Sequence, residues 1–165
     1  MDLQRLPLDC GLRIRGRRLL GQNKTVRGLI TIVVALILWM YFQEFIQWYF
    51  SIDPKLNLVD YNFISPACAG LLLGMGWTLG ELPNSFVKRQ LDIDPGATAP
   101  GYLSWFFWIL DQIDSIVGVL LVSATLLEVT LCQILFICFF GFILHPVADL
   151  LMIACGLKRR RKITV

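Results

Sequence analysis

Residues 102–126 read YLSWFFWILDQIDSIVGVLLVSATL, an apolar stretch with two carboxylates in its middle. The stretch is long enough to cross the hydrocarbon core of a membrane, which needs about 20 residues. Its two acidic residues, Asp111 and Asp114, are three positions apart, so a helix places both on one face. Charged groups at membrane depth are costly and usually face a pocket or a water-filled cavity. The stretch therefore predicts a transmembrane helix with one chemically active face.

The two aspartates also lack a nearby basic partner in the sequence. No lysine or arginine lies between Arg89 and Lys158. Two carboxylates on one face, with no basic residue on the same stretch, suit a hard divalent cation, because such cations prefer oxygen ligands. A proton-carrying role and a pair that is merely solvated at the headgroup boundary are the alternatives.

Three other apolar stretches surround this one, and the composition of the whole chain agrees with them. Of the 165 residues, 56% are hydrophobic and only 16% are charged, against roughly 25% charged in soluble domains. This excludes an ordinary soluble domain and predicts an all-α, polytopic integral membrane protein with about four transmembrane helices. The predicted spans cover about residues 29–50, 62–82, 102–126 and 129–157, which form a single transmembrane domain over residues 29–157.

The basic residues predict the orientation of these spans in the cell membrane. Of the 15 lysines and arginines, all except Lys55 fall in three segments. These are an N-terminal arm (residues 1–28), a central loop (residues 83–101) and a C-terminal tail (residues 158–165). Because basic segments stay on the cytoplasmic side, the arm, the loop and both termini are predicted to be cytoplasmic, an arrangement that four spans satisfy.

A second group of charges follows the second span. Glu81 ends that span at the same predicted depth as the two aspartates, and Ser85, Lys88 and Arg89 come soon after it. If this segment is helical, the last three share one face. A hydroxyl, an ammonium and a guanidinium together suit a phosphate group. The alternative is a solvated basic loop beside anionic lipid headgroups.

The arm ends in GQNKTVRG, residues 21–28, which offers further donors to a phosphate. Its glycines allow a close approach of the backbone to a ligand, and Lys24, Thr25 and Arg27 add polar groups. The spacing of a P-loop is absent, and a simple positive-inside anchor is the alternative interpretation. With carboxylates for metal beside cations for phosphate, the sequence favours chemistry on a nucleotide or a phospholipid headgroup, with the site on the cytoplasmic side.

Several of these segments, in the same order, resemble archaeal CDP-archaeol synthases over about residues 7–160. The combination is specific, although each segment alone is not. The segments are LDCG (8–11), RGRRLLGQNKTVRG (15–28), GELPNSFVKR (80–89), PG (95–96), LDQID (110–114), HPVAD (145–149) and GLK (156–158).

The family is similar to phosphatidate cytidylyltransferases. The resemblance implies transfer of a cytidylyl group from CTP to a lipid phosphate, either phosphatidate or an ether-lipid analogue, with release of pyrophosphate and with Mg²⁺ as cofactor. It implies that Asp111, Asp114 and Glu81 hold the metal. The two aspartates and Lys88 are the implied catalytic residues. The implied substrate-binding residues are Asn23, Lys24, Thr25, Arg27, Ser85, Lys88 and Arg89.

The glycines of the second span lead to an expectation about the lipid. Gly70 and Gly74 have the small-xxx-small spacing that lets helices pack closely. Together with Gly76, they are expected to leave an apolar groove for the lipid tails between the spans. We expect membrane lipids but no nucleic acid as partners. A homodimer is an open alternative, because four spans enclose little volume.

Three features depart from the family pattern. The family has a further transmembrane helix ahead of the arm, and it has an aspartate where this chain has Glu81. It also often has a lysine where this chain has Asp94, just before Pro95 and Gly96. A rival interpretation also fits the charges: a non-catalytic family member, or a small ion-coupled carrier that uses Asp111 and Asp114. Carriers more often show internal repeats and broken spans. This sequence shows no internal repeat, which favours the enzyme.

Overall fold

The computed structural model describes residues 6–52, 59–126 and 130–154. A short hairpin comes first and four helices follow, in the order β1 (Arg13–Ile14), β2 (Arg17–Arg18), α1 (Val26–Tyr49), α2 (Pro66–Gln90), α3 (Leu103–Leu126) and α4 (Leu131–Ala154). The predicted all-α class is confirmed, with a small hairpin in the arm that the sequence analysis did not anticipate. Lys55, the tail at 158–165 and the end of the predicted fourth span lie outside the described residues.

Helix α2 differs from the predicted second span at both ends. It begins at Pro66, where the Ser65 side chain caps it by accepting a hydrogen bond from the Cys68 N–H. It continues through Pro83 to Gln90, so the predicted loop at 83–101 was wrong for its first part. Membrane helices tolerate proline where neighbouring helices and side chains satisfy the freed backbone groups. Basic side chains in the last turn also interact favourably with the helix dipole.

The other helices lie close to their predicted positions. Helix α1 begins earlier than predicted, because the Thr25 hydroxyl caps it by accepting a 3.2 Å hydrogen bond from the Gly28 N–H. Such caps satisfy backbone donors that have no partner within the helix. Helix α3 begins one residue after its predicted start. Helix α4 contains Pro146 in its interior.

The helices bury polar residues and expose apolar ones, which is the reverse of a soluble protein. On α3, Gln112 is 2% exposed and Ser115 is 0% exposed. On α1, by contrast, Leu38 is 64% exposed and Trp48 is 75% exposed. Large apolar surfaces of this kind suit a hydrocarbon environment. Polar groups between helices can then hydrogen-bond away from the lipid.

Helix length and composition agree with a location in the membrane. Among the described residues, Val26–Tyr49 and Leu103–Thr125 are long and apolar enough to cross a bilayer. Leu131–Leu144 in α4 is a shorter apolar helix. Helix α2 is less apolar because it carries the glycines and polar side chains that pack between α1 and α3.

The glycines of α2 allow both of its neighbours to approach closely. A Cβ at Gly74 would lie 2.8 Å from the Val33 Cα of α1, and one at Gly70 would lie 2.6 Å from the Ile37 backbone N. On the other side of α2, a Cβ at Gly76 would lie 2.8 Å from the carbonyl oxygen of Gly118 in α3. The expected apolar groove at these glycines was therefore wrong, because the backbones of α1 and α3 fill the space.

The arm folds into a compact unit ahead of α1. Its hairpin turns at Arg15 and Gly16, whose φ angles are 51° and 80°. Positive φ at both central residues is the geometry that matches the twist of a tight hairpin. The Leu8 N–H donates to the Lys24 carbonyl at 2.9 Å, which joins the two ends of the arm.

Asp9 organises the inside of the arm. Its carboxylate is buried and accepts hydrogen bonds from the Arg18 guanidinium at 2.6 Å and from the Gly11 and Leu20 N–H groups at 3.0 Å. Burial alone would raise the pKa of Asp9. The hydrogen bonds from Arg18 and the backbone, with the charge of Arg18, outweigh burial and hold the pKa below its ordinary value. Asp9 therefore stays ionised and keeps the arm folded.

The arm is attached to the end of α2. Arg17 donates to the Gln90 carbonyl and pairs with the Asp92 carboxylate. The loop that follows α2 is fixed in turn to α3, because Ile93 and Phe107 are buried in one apolar cluster. These contacts hold the arm, the end of α2 and the start of α3 together.

Candidate active site

The two aspartates of α3 meet an asparagine of α2. The Asn84 Nδ2 donates to Asp111 Oδ1 at 2.8 Å and to Asp114 Oδ2 at 2.7 Å. Asp114 also accepts a 2.7 Å hydrogen bond from the Ser115 N–H. Because one nitrogen contacts both carboxylates, the two side chains converge as their spacing predicts.

Lys88 supplies a positive charge to this pair. Its ammonium forms an ion pair with Asp111, and both side chains are largely shielded from solvent, at 14% and 15% exposed. The Lys88 Nζ also lies 5.4 Å from the centroid of the Phe107 ring, a cation–π distance. The sequence predicted a cation for phosphate near the aspartates, and the structure brings Lys88 to them.

Glu81 lies on α2, as Lys88 does, but it has different partners. Its carboxylate pairs with Lys24 of the arm and accepts a 2.9 Å hydrogen bond from the Trp77 Nε1. The Lys24–Glu81 pair therefore links the arm directly to α2. Lys24, predicted to contact substrate, is thus held beside the site by an acidic residue.

The polar residues of α2 form one stripe. Glu81, Asn84 and Lys88 follow one another at intervals of three and four residues, which places them on one face of a helix. That face meets Asp111 and Asp114 on α3. We call these five residues the polar stripe. It mixes three carboxylates, one amide and one ammonium between two helices.

The predicted metal ligands are brought together only in part. Within residues 6–52, 59–126 and 130–154, no three histidine, cysteine or acidic side chains form a group that could hold a metal ion. Glu81 is paired with Lys24 instead. Asp111 and Asp114 do fit Mg²⁺ in their chemistry, because their hard oxygens converge on a single donor. Metal binding at these two aspartates stays a prediction.

The remaining predicted substrate residues lie in the arm, at the start of α1 and in the last part of α2. Asn23 and Arg27 are exposed, and Ser85 is half-buried. Thr25 has a structural role as the cap of α1. Arg89 is half-buried, and its Nε and Nη1 have no hydrogen-bond partner among the described residues. A guanidinium in that state is ready to bind an anion.

Two cavities open beside these residues. A cavity of about 590 Å³ lies between the arm and the loop after α2, and Arg17, Arg18 and Arg89 are among its lining residues. A smaller cavity of about 80 Å³ is lined by Lys88 and Asp111, among others. The larger space is thus lined by three arginines and by the carboxylates of Asp92 and Asp94, and the polar stripe borders the smaller one.

Sequence reasoning missed four contributors to this arrangement. Asn84 was read only as part of a motif, and Trp77 was not singled out. Arg17 and Arg18 were counted as membrane-orienting charges, yet they line the larger cavity. The intervals between Glu81, Asn84 and Lys88 would have indicated the stripe if the helix had been extended through Pro83.

Comparison with known proteins gives a consistent result. A model of the CarS-like family, described as CDP-archaeol synthase, matches residues 5–161. The CDP-archaeol synthase of Methanospirillum hungatei is 32% identical over 161 residues, which cover 93% of this chain and 88% of that protein. That of Methanocaldococcus jannaschii is 28% identical over 156 residues, which cover 92% of this chain and 81% of that protein.

A solved structure also resembles this fold. It is described as an intramembrane enzyme for archaeal membrane lipid biosynthesis, and it matches with a TM-score of 0.65 and 28% sequence identity. The match covers 88% of this chain and 80% of that one. Sequence and fold therefore point to the same group of membrane enzymes.

Proposed function

We propose, because this chain belongs to the CDP-archaeol synthase family, that it transfers the cytidylyl group of CTP to a lipid phosphate and releases pyrophosphate. The chain is a CTP-dependent lipid cytidylyltransferase that makes a CDP-lipid. The single observation that supports the finer proposal is the polar stripe, where Lys88 and Asn84 meet the two aspartates. Such a group between apolar helices is costly without a function.

The proposed reaction needs no nucleophile from the protein. An oxygen of the lipid phosphate attacks the α-phosphorus of CTP, and the bond from that phosphorus to the oxygen of the β-phosphate breaks. Pyrophosphate leaves with the electron pair. Catalysis then consists of positioning the two substrates and stabilising the charge that spreads over the phosphate oxygens.

The chain has side chains that could stabilise the negative charge on the phosphate oxygens. Asp111 and Asp114 would hold Mg²⁺, which when bound supplies charge neutralisation to the phosphates. Lys88 lies beside Asp111 and can donate to a phosphate oxygen. The unpartnered Nε and Nη1 of Arg89 can also donate hydrogen bonds to a phosphate oxygen. The cavity lined by Arg17, Arg18 and Arg89 supports a place for the CTP phosphates, since Arg89 directly follows Lys88 of the stripe in α2.

The decisive experiment is an assay of the purified protein in detergent with labelled CTP and Mg²⁺. One arm supplies phosphatidate, and the other supplies a glycerol phosphate with ether-linked chains. Labelled CDP-lipid in either arm supports the proposal, and the ratio of the two rates identifies the lipid class. No labelled lipid in either arm, from a protein that is folded and monodisperse, would refute it.

Lys88→Ala is expected to lower kcat/KM for CTP by about 10- to 200-fold. Loss of a hydrogen bond to a charged group costs roughly 1.5–3 kcal/mol, at about 1.4 kcal/mol per tenfold change. The measurement uses micelles whose only anionic lipid is the lipid-phosphate substrate at a fixed concentration, so that general binding to anionic headgroups does not contribute. Arg13→Ala removes an exposed cation of the arm and serves as the control. An unchanged kcat/KM in Lys88→Ala would remove this residue from the site.

We also propose that all four helices span the membrane, with the arm, the polar stripe and both termini on the cytoplasmic side. The support is the distribution of basic residues together with the position of the arm against the end of α2. This arrangement exposes the stripe to CTP, which is water-soluble, and leaves the apolar surfaces of the helices to the lipid.

Thiols introduced at Lys55 and Arg160 are expected to respond oppositely to a membrane-impermeant maleimide. In a variant without native cysteines, the thiol at 55 reacts in intact cells. The thiol at 160 reacts only after permeabilisation. A variant that keeps only Cys10, which is exposed in the arm, is the control and should behave like 160. Labelling in the reverse pattern would overturn the orientation.

A further inference from the structure

Asn84 occupies an unusual position in the polar stripe. The residue is only 8% exposed. Its Nδ2 donates to one carboxylate oxygen of Asp111 and to one of Asp114. Its own carbonyl oxygen, Oδ1, is buried and has no hydrogen-bond partner in the described parts of the chain. The donor side of this amide is therefore fully used while the acceptor side is not.

Because its carbonyl is unpartnered within the described residues, Asn84 is held in place by the hydrogen bonds of its NH₂ group alone. A buried polar atom without a hydrogen bond lowers stability. An apolar side chain of similar size would fill the same space without that cost. The amide of Asn84 is therefore explained by its NH₂ group, which contacts the two carboxylates.

The NH₂ group suits this position because it has two hydrogens and no charge. It can donate to Asp111 and Asp114 at once, which holds two groups that repel each other at a fixed spacing. A second ammonium there would cancel their charge. Lys88 pairs with Asp111, and no ion pair to Asp114 is found in the described residues. Asn84 therefore ties Asp114 to the Lys88–Asp111 pair and leaves negative charge for a ligand.

We propose that Asn84 is a positioning residue that sets the spacing of Asp111 and Asp114 for a divalent cation. The inference rests on the proposed function in one respect, namely that these aspartates bind the cation. Asn84 acts through them and need not touch the substrates. Partners that orient metal ligands typically change metal affinity by about 10- to 100-fold when they are removed.

The test measures Mn²⁺ binding by electron paramagnetic resonance in detergent, without CTP, so that it does not depend on turnover. Asn84→Ala is expected to weaken Mn²⁺ binding by at least about tenfold. Gln112→Ala is the matched control. Gln112 is also a buried amide with an unpartnered oxygen, but its nitrogen donates to the Trp108 carbonyl at 3.4 Å. Its removal should leave Mn²⁺ binding unchanged.

Asn84→Asp keeps the shape of the side chain and provides a second test if Asn84→Ala does not fold. It replaces both donors by a third carboxylate, so the melting temperature should fall without divalent cation. Mn²⁺ should restore it, giving a larger cation-induced shift than in the wild type. A loss of melting temperature that Mn²⁺ does not restore would show that the cation does not bind beside residue 84, and that result would overturn the proposal.

Asp114→Asn separates failure of this inference from failure of the proposed function. If Asp114→Asn loses Mn²⁺ binding and Asn84→Ala binds as the wild type does, the role of Asn84 is refuted while the cation site stands. If Asp114→Asn binds Mn²⁺ as well as the wild type, the cation does not depend on Asp114, and both the proposed cation site and the role of Asn84 are overturned, whereas cytidylyl transfer itself is decided by the CTP assay. Weak Mn²⁺ binding in both Asp114→Asn and Asn84→Ala, with normal Mn²⁺ binding in Gln112→Ala, supports the proposal.

Discussion

Asp114→Asn is expected to reduce cytidylyl transfer by at least about 100-fold while the protein stays folded in detergent. The substitution keeps the shape of the side chain, and its one oxygen can still accept the hydrogen bond from Asn84, although the bond from the Ser115 N–H to the other oxygen is lost. It removes the negative charge that a hard cation requires. Losses of about 10²- to 10³-fold follow when one preorganised electrostatic group is removed from a site.

The measurement is the initial rate of CDP-lipid formation over a range of Mg²⁺ concentrations. Asp60→Asn removes an exposed carboxylate at a turn before α2 and is the control, with an expected rate equal to that of the wild type. The melting temperatures of both variants show whether they are folded. Normal turnover of Asp114→Asn at limiting Mg²⁺ would refute the role of Asp114 in metal binding.

The part of the site that lies on one helix could be predicted from the sequence. The length and hydropathy of residues 102–126 predicted α3 to within one residue. The interval between Asp111 and Asp114 predicted that both share a face. This information is local, because helix period and apolar length do not depend on what packs against the helix.

Asn84 was missed because the predicted second span ended too early. The span was placed at 62–82 because residues 83–101 are polar and rich in proline and glycine. The helix continues to Gln90, as membrane helices can. A helix after the span was considered only for Ser85, Lys88 and Arg89, so the common face of Asn84 and Lys88 with Glu81 was not recognised.

The contacts between helices could not be predicted from spacing alone. The interval between Gly70 and Gly74 indicates a close approach but does not identify the neighbour. The structure places these two glycines against α1, whereas Gly76 and Gly80 pack against α3. The expected groove failed for the same reason, since a small residue leaves space only where no other backbone enters it.

The close contact of Gly118 with α2 leads to the second prediction of a large effect, a loss of stability and activity. Gly118 of α3 packs against both Gly76 and Gly80 of α2, and a Cβ at Gly118 would lie 2.8 Å from the Gly80 Cα and 2.9 Å from the Gly80 N. These are backbone atoms, so no change of rotamer can relieve the overlap. A substitution must therefore move one helix away from the other.

Gly118→Ala is accordingly expected to lower both stability and activity. Overpacking lowers the free energy of unfolding by about 1–3 kcal/mol. Separating α2 from α3 would also move Asp114, which lies one helical turn before Gly118, away from Asn84.

Gly28→Ala is the matched control. A Cβ there meets only the Thr25 hydroxyl, at 3.5 Å, and alanine favours a helix over glycine by about 1 kcal/mol. Thermal unfolding in detergent should give a lower melting temperature for Gly118→Ala and an equal or higher one for Gly28→Ala. Equal melting temperatures and equal rates for Gly118→Ala and the wild type would contradict the close packing of α2 on α3, because a methyl group cannot enter that contact without displacing a backbone.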